Sequence, residues 1–223
     1  MVKKILIVAA HPDDEVLGCG GAIARHVAEG DTVQVVFMAD GVTSRQNTLQ
    51  ADLAQRDSAA EQARRVLGVE RNHYIGLPDN RMDSVPLLDV IQKLEAIIHA
   101  YEPEVIYTHH VGDLNEDHRI TQQAVLTACR PVPGSSVREI YAFEVLSSTE
   151  WSNPHALPFT PECFVDISAH LTKKMDALNA YACEMREAPH SRSLAHTELL
   201  ARHRGHSAGM DAAEAFKVLR LLR

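Results

Sequence analysis

The sequence predicts one domain of the α/β class, in which helices cover both faces of a mainly parallel β-sheet. Strand-like and helix-like segments alternate from the start of the 223 residues to about residue 143, the pattern of successive strand–helix–strand units. The first strand-like segment, residues 5–8, is continuously apolar, as expected for a strand buried on both faces. Two of the strand-like segments run directly into polar clusters, and parallel sheets bind their ligands at the carboxyl ends of strands. These observations indicate a Rossmann-like arrangement.

The elements of the first part of the chain follow from local signals. The first strand ends at Pro12, because proline has no N–H to donate to a strand ladder. Residues 22–29 have apolar side chains at helical spacing and predict the first helix. Residues 32–38 are rich in β-branched side chains and predict the second strand. A second helix is expected over residues 49–67, with Gly68 capping its end.

Further along the chain, β-branched and aromatic runs predict strands, and apolar stripes with i, i+4, i+7 spacing predict helices. The expected strands cover residues 73–75, 104–108, 140–143 and 163–165. The expected helices cover residues 87–98, 120–128 and 170–181. Residues 184–209 form a polar, irregular stretch, and the chain ends in a stripe that predicts a closing helix, formed by Ala212, Phe216, Leu219 and Leu222.

The acidic composition argues against nucleic acids and membrane surfaces as binding partners. There are 22 Lys and Arg residues against 30 Asp and Glu residues, a net charge of −8, so we expect no nucleic-acid partner and no polybasic membrane anchor. The start of the sequence lacks the features of a secretory signal, and no apolar segment has the length to span a bilayer. We therefore expect a cytoplasmic location. The four cysteines lack metal-binding spacing and are expected to be small buried hydrophobes.

Two polar clusters contain the residue types of a metal site. The first cluster, at the end of the first strand, combines His11 with Asp13 and Asp14. The second follows a later strand and combines His118 with Asp117, His109 and His110. Zinc and related ions accept His nitrogen and Asp oxygen, and a catalytic site has three protein ligands plus an open position. The clusters meet at one edge if both strands belong to the same parallel sheet.

Each of these residues also has an ordinary structural interpretation. Asp13 or Asp14 can cap the helix that follows, and His118 can cap a helix or face solvent. Arg56, on the second predicted helix, can be a solvated charge. Capping accounts for one carboxylate but not for three adjacent ones beside a histidine, whose mutual repulsion a cation would offset. On spacing alone, the metal and structural interpretations are equally supported.

The opening motif and the later cluster resemble a known family. The segments Ala10-His11-Pro12-Asp13-Asp14-Glu15, Gly18-x-Gly20-Gly21 and Asp117-His118-Arg119 are similar to motifs of the PIG-L/LmbE-type family of metal-dependent N-deacetylases. Segments similar to one bacterial branch of this family extend the resemblance over nearly the whole chain, at residues 40–45, 77–81, 112–119, 184–186, 189–193 and 213–216. We therefore expect a single deacetylase domain over residues 1–223.

The resemblance implies roles for the clustered residues. It implies that His11, Asp14 and His118 bind zinc, and that Asp13 is the general base for a metal-activated water and returns its proton to the departing amine. Two His and one carboxylate equally describe a ferrous site, so Fe²⁺ or another divalent ion stays open. The implied substrate is an N-acetylated sugar or sugar conjugate, such as a nucleotide sugar or a glycan precursor. Association into homo-oligomers is implied as well.

The second cluster departs from the family pattern at Asn115. Many members have a His three positions before the ligand His, where it helps to stabilise the oxyanion. An Asn amide donates a hydrogen bond but carries no titrating proton, so either Asn115 fills a reduced role or His109 or His110 supplies the missing group. Asp117 is expected to orient a neighbouring polar group.

Four further residues are candidates for binding substrate. Arg56 matches an arginine of the family, whereas polar loops place residues suited to a hydroxyl-rich or phosphorylated ligand: Arg45, Asn80 and Arg192. A catalytically silent metal-binding or sugar-binding protein of the same fold is the alternative. A phosphate cradle at residues 18–21 is disfavoured, because the three acidic residues just upstream would repel a pyrophosphate.

Overall fold

The computed structural model describes residues 2–153, 155 and 157–223, and within these ranges seven strands form one sheet. The strands are β1 Lys4–Ala9, β2 Thr32–Ala39, β3 Arg71–Leu77, β4 Val105–His109, β5 Glu139–Phe143, β6 Cys163–Asp166 and β7 Ala213–Leu221. The sheet order is β3-β2-β1-β4-β5-β7-β6. The five strands from β3 to β5 are parallel, and β7 pairs antiparallel with both β5 and β6.

Helices pack on both faces of this sheet, as predicted. They are α1 Asp14–Ala28, α2 Gln50–Leu67, α3 Leu87–Tyr101, α4 Glu116–Ala128, α5 Leu171–Ala180 and α6 Leu194–His206. Ile5 and Ile7 of β1 pack into a core with α1, α2 and α5, whereas Leu6 and Val8 pack into a core with α3 and α4. The continuous apolar run of β1 is therefore buried on both faces, because alternate side chains point into different cores. Among the residues described, no helix combines the length and the apolarity needed to cross a bilayer.

Two helices begin earlier than the sequence predicts. Helix α1 begins at Asp14 rather than near residue 22, and α4 begins at Glu116 rather than near residue 120. The missed turns are polar or glycine-rich, so they lack an apolar stripe, although acidic residues are favourable in the first turn of a helix. The close packing of α1 on β5 requires glycine at position 18, because a Cβ there would lie 2.6 Å from Cγ of Phe143.

The predicted closing helix is wrong, because residues 213–221 form strand β7. This strand lies inside the sheet and has apolar side chains on both faces: Phe216 and Val218 pack into the core under α1, and Leu219 packs into the opposite core. A short segment buried on both faces has apolar residues at many spacings, including helical ones. The polar stretch also contains a helix, α6, that the sequence did not indicate.

Strand β7 also supports a break inside α1. Cys19 has non-helical backbone angles, so the helix is interrupted there. The carboxylate of Glu214 on β7 accepts hydrogen bonds from the N–H groups of Gly21 (2.9 Å) and Ala22 (2.7 Å). The buried ammonium of Lys174 on α5 pairs with Glu214 at 2.6 Å and donates to the carbonyl of Leu17 at 2.9 Å. The backbone groups released by the break are thus satisfied by side chains.

Candidate active site

The two polar clusters meet at the carboxyl ends of β1 and β4, which are adjacent parallel strands. Residues 10–13 connect β1 to α1, and residues 110–115 connect β4 to α4. A cavity of about 160 Å³ opens between these loops. Residues from both clusters and from more distant loops line it: His11, Asp13, Asp14, Gly41, Ser44, Arg45, Arg56, Asn80, Asn115, His118, Ser147, Ser148, Glu184 and Arg192.

The structure brings His11, Asp14 and His118 together as a buried group of potential metal ligands. Asp14 Oδ2 lies 3.4 Å from His11 Nδ1 and 3.3 Å from His118 Nε2. Donors on a tetrahedral zinc ion lie about 2.0–2.1 Å from the ion and hence about 3.3–3.4 Å from one another. Both separations from Asp14 match these values, and all three ligand atoms lie within 4.8 Å of one another, so the group could hold a small divalent cation.

A carboxylate lies close to the outer nitrogen of each imidazole. His11 Nε2 lies 3.1 Å from Asp117 Oδ2 and 3.2 Å from Asp79 Oδ1. His118 Nδ1 lies 3.1 Å from Asp113 Oδ1. A carboxylate behind a histidine selects the tautomer that presents the other nitrogen to a metal. Both imidazoles are thus oriented as metal ligands usually are.

The charges of this cluster favour a cation at its centre. Burial lowers the pKa of His118, but the nearby Asp14 and Asp113 carboxylates raise it to about 9. Burial likewise raises the pKa of Asp14, but His118 and His11 lower it well below the usual value. The protein interior therefore stabilises positive charge beside Asp14, which a proton or a metal ion can supply.

Asp13 stands at the N-cap position of α1, yet its side chain makes no capping hydrogen bond. Its backbone has a φ of +111°, a region that non-glycine residues rarely adopt, and its N–H donates to Glu15 Oε2 at 2.9 Å. Its Oδ2 lies 3.0 Å from Arg192 Nη1 and 3.2 Å from Arg56 Nη1. Burial raises the pKa of Asp13, and the two arginines oppose that shift. The capping interpretation does not account for this side chain, which is turned into the cavity.

Arg56 is buried, with a side chain that is only 3% exposed, so its interpretation as a solvated helix charge is wrong. It donates to the carbonyl of Pro12 at 2.6 Å and to that of Gly41 at 3.1 Å, and it pairs with Glu184 at 3.1 Å. Arg56 thus stabilises the turn that contains Pro12 and Asp13. Its predicted contact with substrate stays a prediction.

Asn115 is the N-cap of α4, where its Oδ1 accepts from the N–H of Asp117 at 2.8 Å. Its Nδ2 donates to Asn80 Oδ1 at 3.0 Å on the cavity wall. His110 turns away and contacts the carbonyl of Leu157 at 2.9 Å. His109 is fully buried beneath His118, and its Nε2 accepts from the N–H of Ala10 at 2.8 Å. Of the three residues considered for the oxyanion, only Asn115 lines the cavity.

The remaining candidates for substrate contact also lie at the cavity. Arg45 is 48% exposed and donates to Glu184 at 2.7 Å, while Arg192 donates to Ser147 Oγ at 2.8 Å. Asn80 donates through Nδ2 to Ser44 Oγ at 3.1 Å. Each side chain thus has a protein partner and borders the open volume.

Three acidic residues at the site were missed by the sequence reasoning, although family-like segments include them: Asp79, Asp113 and Glu184. Their roles depend on which side chain each one faces across the fold. An isolated acidic residue in a loop gives no local signal of that partner. Metal-binding histidines usually have a carboxylate beside their second ring nitrogen, and this expectation could have indicated Asp79 and Asp113.

Comparison with known proteins identifies the family of the chain. The family profile described as PIG-L, GlcNAc-PI de-N-acetylase, matches residues 6–129. The chain is 31% identical over 185 residues to the "uncharacterized deacetylase YaiS" of Escherichia coli (strain K12), covering 80% of this chain and 90% of that protein. It is 27% identical over 241 residues to the 1D-myo-inositol 2-acetamido-2-deoxy-alpha-D-glucopyranoside deacetylase of Mycobacterium sp. (strain JLS), covering 87% of this chain and 78% of that protein.

Solved structures share the fold. The conserved protein TT1542 from Thermus thermophilus superposes with a TM-score of 0.79 at 24% identity, covering 100% of this chain and 97% of that one. The N,N'-diacetylchitobiose deacetylase from Pyrococcus horikoshii superposes with a TM-score of 0.79 at 21% identity, covering 98% and 84%. With the family profile matching more than half of its residues, the chain belongs to the PIG-L family of de-N-acetylases.

Proposed function

We propose that this chain is a zinc-dependent hydrolase that removes the acetyl group from an N-acetylated sugar or sugar conjugate. The observation that carries the proposal is the placement of Asp13 in the same cavity as the His11, Asp14 and His118 cluster. The relatives support the substrate class, since the mycobacterial and Pyrococcus enzymes are named for substrates that contain acetylated amino sugars. In this proposal residues 1–223 act as a single domain.

The metal would be held by His11, Asp14 and His118, with Asp117 and Asp113 fixing the two imidazoles. A zinc ion bound there supplies Lewis acid chemistry and lowers the pKa of water to about 7. The separations of 3.3 and 3.4 Å from Asp14 to the two histidines would leave room for a small divalent ion between these side chains. Zinc is the ion proposed, and Fe²⁺ accepts the same ligand types.

Asp13 would move the proton. Its Oδ2 faces Arg192 and Arg56, so we assign the proton transfer to Oδ1. Asp13 accepts a proton from the attacking water and later donates it to the amine as the amide bond breaks. Because burial raises the pKa of Asp13, its basicity is better matched to neutral pH than that of an exposed aspartate.

Asn115 would donate a hydrogen bond to the developing oxyanion. The amide donates through Nδ2 to Asn80 Oδ1 on the cavity wall, and a substrate oxygen that replaced this acceptor would receive the hydrogen bond. Because an amide cannot give up a proton, the whole of the acid–base chemistry falls to Asp13. Arg45, Asn80 and Arg192 would contact the hydroxyl groups of the sugar.

The decisive experiment is an acetate-release assay with a panel of N-acetylated sugars, glycosides and nucleotide sugars, on protein of measured zinc content. We expect release from at least one sugar, and Asp13→Asn should lower kcat by about 10²–10⁴-fold while zinc content stays unchanged. Asp176→Asn, an exposed aspartate on α5, is the matched control and should leave turnover unchanged. A zinc-loaded protein that releases no acetate from the whole panel would favour the silent alternative.

A further inference from the structure

The chain contains a single tryptophan, Trp151, and its side chain is half exposed, at 52%. It ends the 3₁₀ turn Thr149–Trp151, which directly follows Ser147 and Ser148 on the cavity wall. A 3₁₀ helix rises about 2.0 Å per residue, so Trp151 lies about 6 Å along the chain from Ser148. The backbone of Trp151 thus lies close to the part of the chain that lines the cavity.

The loop that contains His190 and Arg192 connects the indole to the candidate catalytic groups. The ring of His190 lies against Trp151, with 5.6 Å between ring centroids and an edge-on geometry. His190 Nδ1 accepts from the N–H of Arg192 at 3.0 Å. Arg192 in turn donates to Ser147 Oγ and to Asp13. Trp151 is therefore connected to Asp13 through His190 and Arg192.

Glu150 ties the two loops together beside the indole. Its Oε1 accepts from the N–H of Ser147 at 2.6 Å and from the hydroxyl of Ser191. The exposed aromatic face is therefore presented by hydrogen-bonded loops, and little conformational freedom is lost when a ligand covers it. Ser152 and Asn153 follow Trp151 in the chain and offer polar partners nearby.

We propose that Trp151 is the stacking platform for a second sugar ring, next to the ring that carries the acetyl group. The proposal rests on the proposed function and deepens it, since the preferred substrate becomes an N-acetylated disaccharide or longer glycoside. An indole offers a large apolar face beside a polar edge, which suits the C–H face of a pyranose surrounded by hydroxyl groups. The Glu150 carboxylate and the acidic chain oppose a phosphate at this position, so the subsite selects a neutral glycoside over a nucleotide sugar.

The single tryptophan makes binding at this position directly observable. Tryptophan emission is recorded while the Asp13→Asn variant, which should bind without turnover, is titrated with N-acetylglucosamine, with its disaccharides of different linkage and with uridine diphosphate N-acetylglucosamine. We expect at least one disaccharide to shift the emission to the blue and to bind about tenfold more tightly than the monosaccharide. Emission that responds to no disaccharide, or only to the nucleotide sugar, would overturn the proposal.

A kinetic measurement provides the second test. Trp151→Ala should lower the ratio of kcat/KM for the best disaccharide to that for the monosaccharide by about tenfold, whereas Trp151→Phe should retain most of the ratio. Leu88→Ala removes an equally exposed apolar side chain from α3 and should leave the ratio unchanged. An unaltered ratio in Trp151→Ala would also overturn the proposal. The absence of any acetate release would instead refute the proposed function, and the fluorescence titration would still test the platform.

Discussion

Replacing Asp113 by alanine should weaken both the fold and metal binding. The carboxylate lies 3.1 Å from His118 Nδ1 and accepts from Thr149 Oγ1 at 2.6 Å, from the N–H of Asn115 at 2.9 Å and from the hydroxyl of Ser148. Asp113→Ala leaves these three donors without their acceptor, at about 1 kcal/mol or more each, so the free energy of unfolding should fall by at least about 3 kcal/mol. For a chain of this length, that loss lowers Tm by about 6–12 °C.

The effect on the metal is separate from the effect on the fold. Without Asp113 the imidazole of His118 is free to rotate and to change tautomer, and losses of this kind weaken metal affinity by about 10–100-fold. Affinity is measured by competition with a chromophoric chelator below the unfolding transition. Thr149→Val is the matched control, because it removes the two hydrogen bonds of this hydroxyl, to Asp113 and from the N–H of Val145, and keeps the pair of Asp113 with His118. Wild-type zinc affinity in folded Asp113→Ala would refute the orienting role.

Three further changes test other parts of the structure. Gly18→Ala places a Cβ 2.6 Å from Cγ of Phe143 and should destabilise the fold by about 1–3 kcal/mol, seen as a lower Tm; an unchanged Tm would contradict the close packing of α1 on β5. Arg56→Met leaves the carboxylates of Asp13 and Glu184 buried without this cation, so the free energy of unfolding in urea should fall by about 3–5 kcal/mol. Arg65→Met, at an exposed position on the same helix, should change it little. Equal effects of the two substitutions would contradict a stabilising role of Arg56 at the turn before α1. Chelation should abolish acetate release and lower Tm, and zinc at 100 times its Kd should restore about 2.7 kcal/mol; full activity in protein shown to be metal-free would contradict metal dependence.

The parallel part of the sheet and the meeting of the two clusters could be predicted from the sequence. Residues 5–8 are continuously apolar because alternate side chains enter different cores, so the pattern itself reports burial on both faces. Polar residues after β1 and β4 indicated the site, since parallel strands place their carboxyl ends at one edge.

Other elements could not be predicted, for reasons visible in their packing. Helix α6 buries the small side chains of Thr197, Ala201 and Gly205 and exposes Leu199, so it has no apolar stripe. Strand β7 is buried on both faces, and its spacing was compatible with a helix.

The same limit applies to the candidate site. Asp79 and Glu184 act on His11 and Arg56, which are distant from them in sequence, and residue spacing does not reveal such pairs. Arg56 was found only through the family resemblance, and its burial against Pro12 became visible only in three dimensions.

The position of β7 has a consequence for how the molecule is made. The candidate residues of the first cluster are synthesised long before β7, yet Glu214 on β7 accepts the hydrogen bonds of Gly21 and Ala22 at the break in α1, and β6 pairs with β7. A nascent chain that ends before residue 213 therefore has the candidate metal ligands but lacks Glu214 and the strand with which β6 pairs. The support of α1 at its break is therefore completed when β7 has been synthesised.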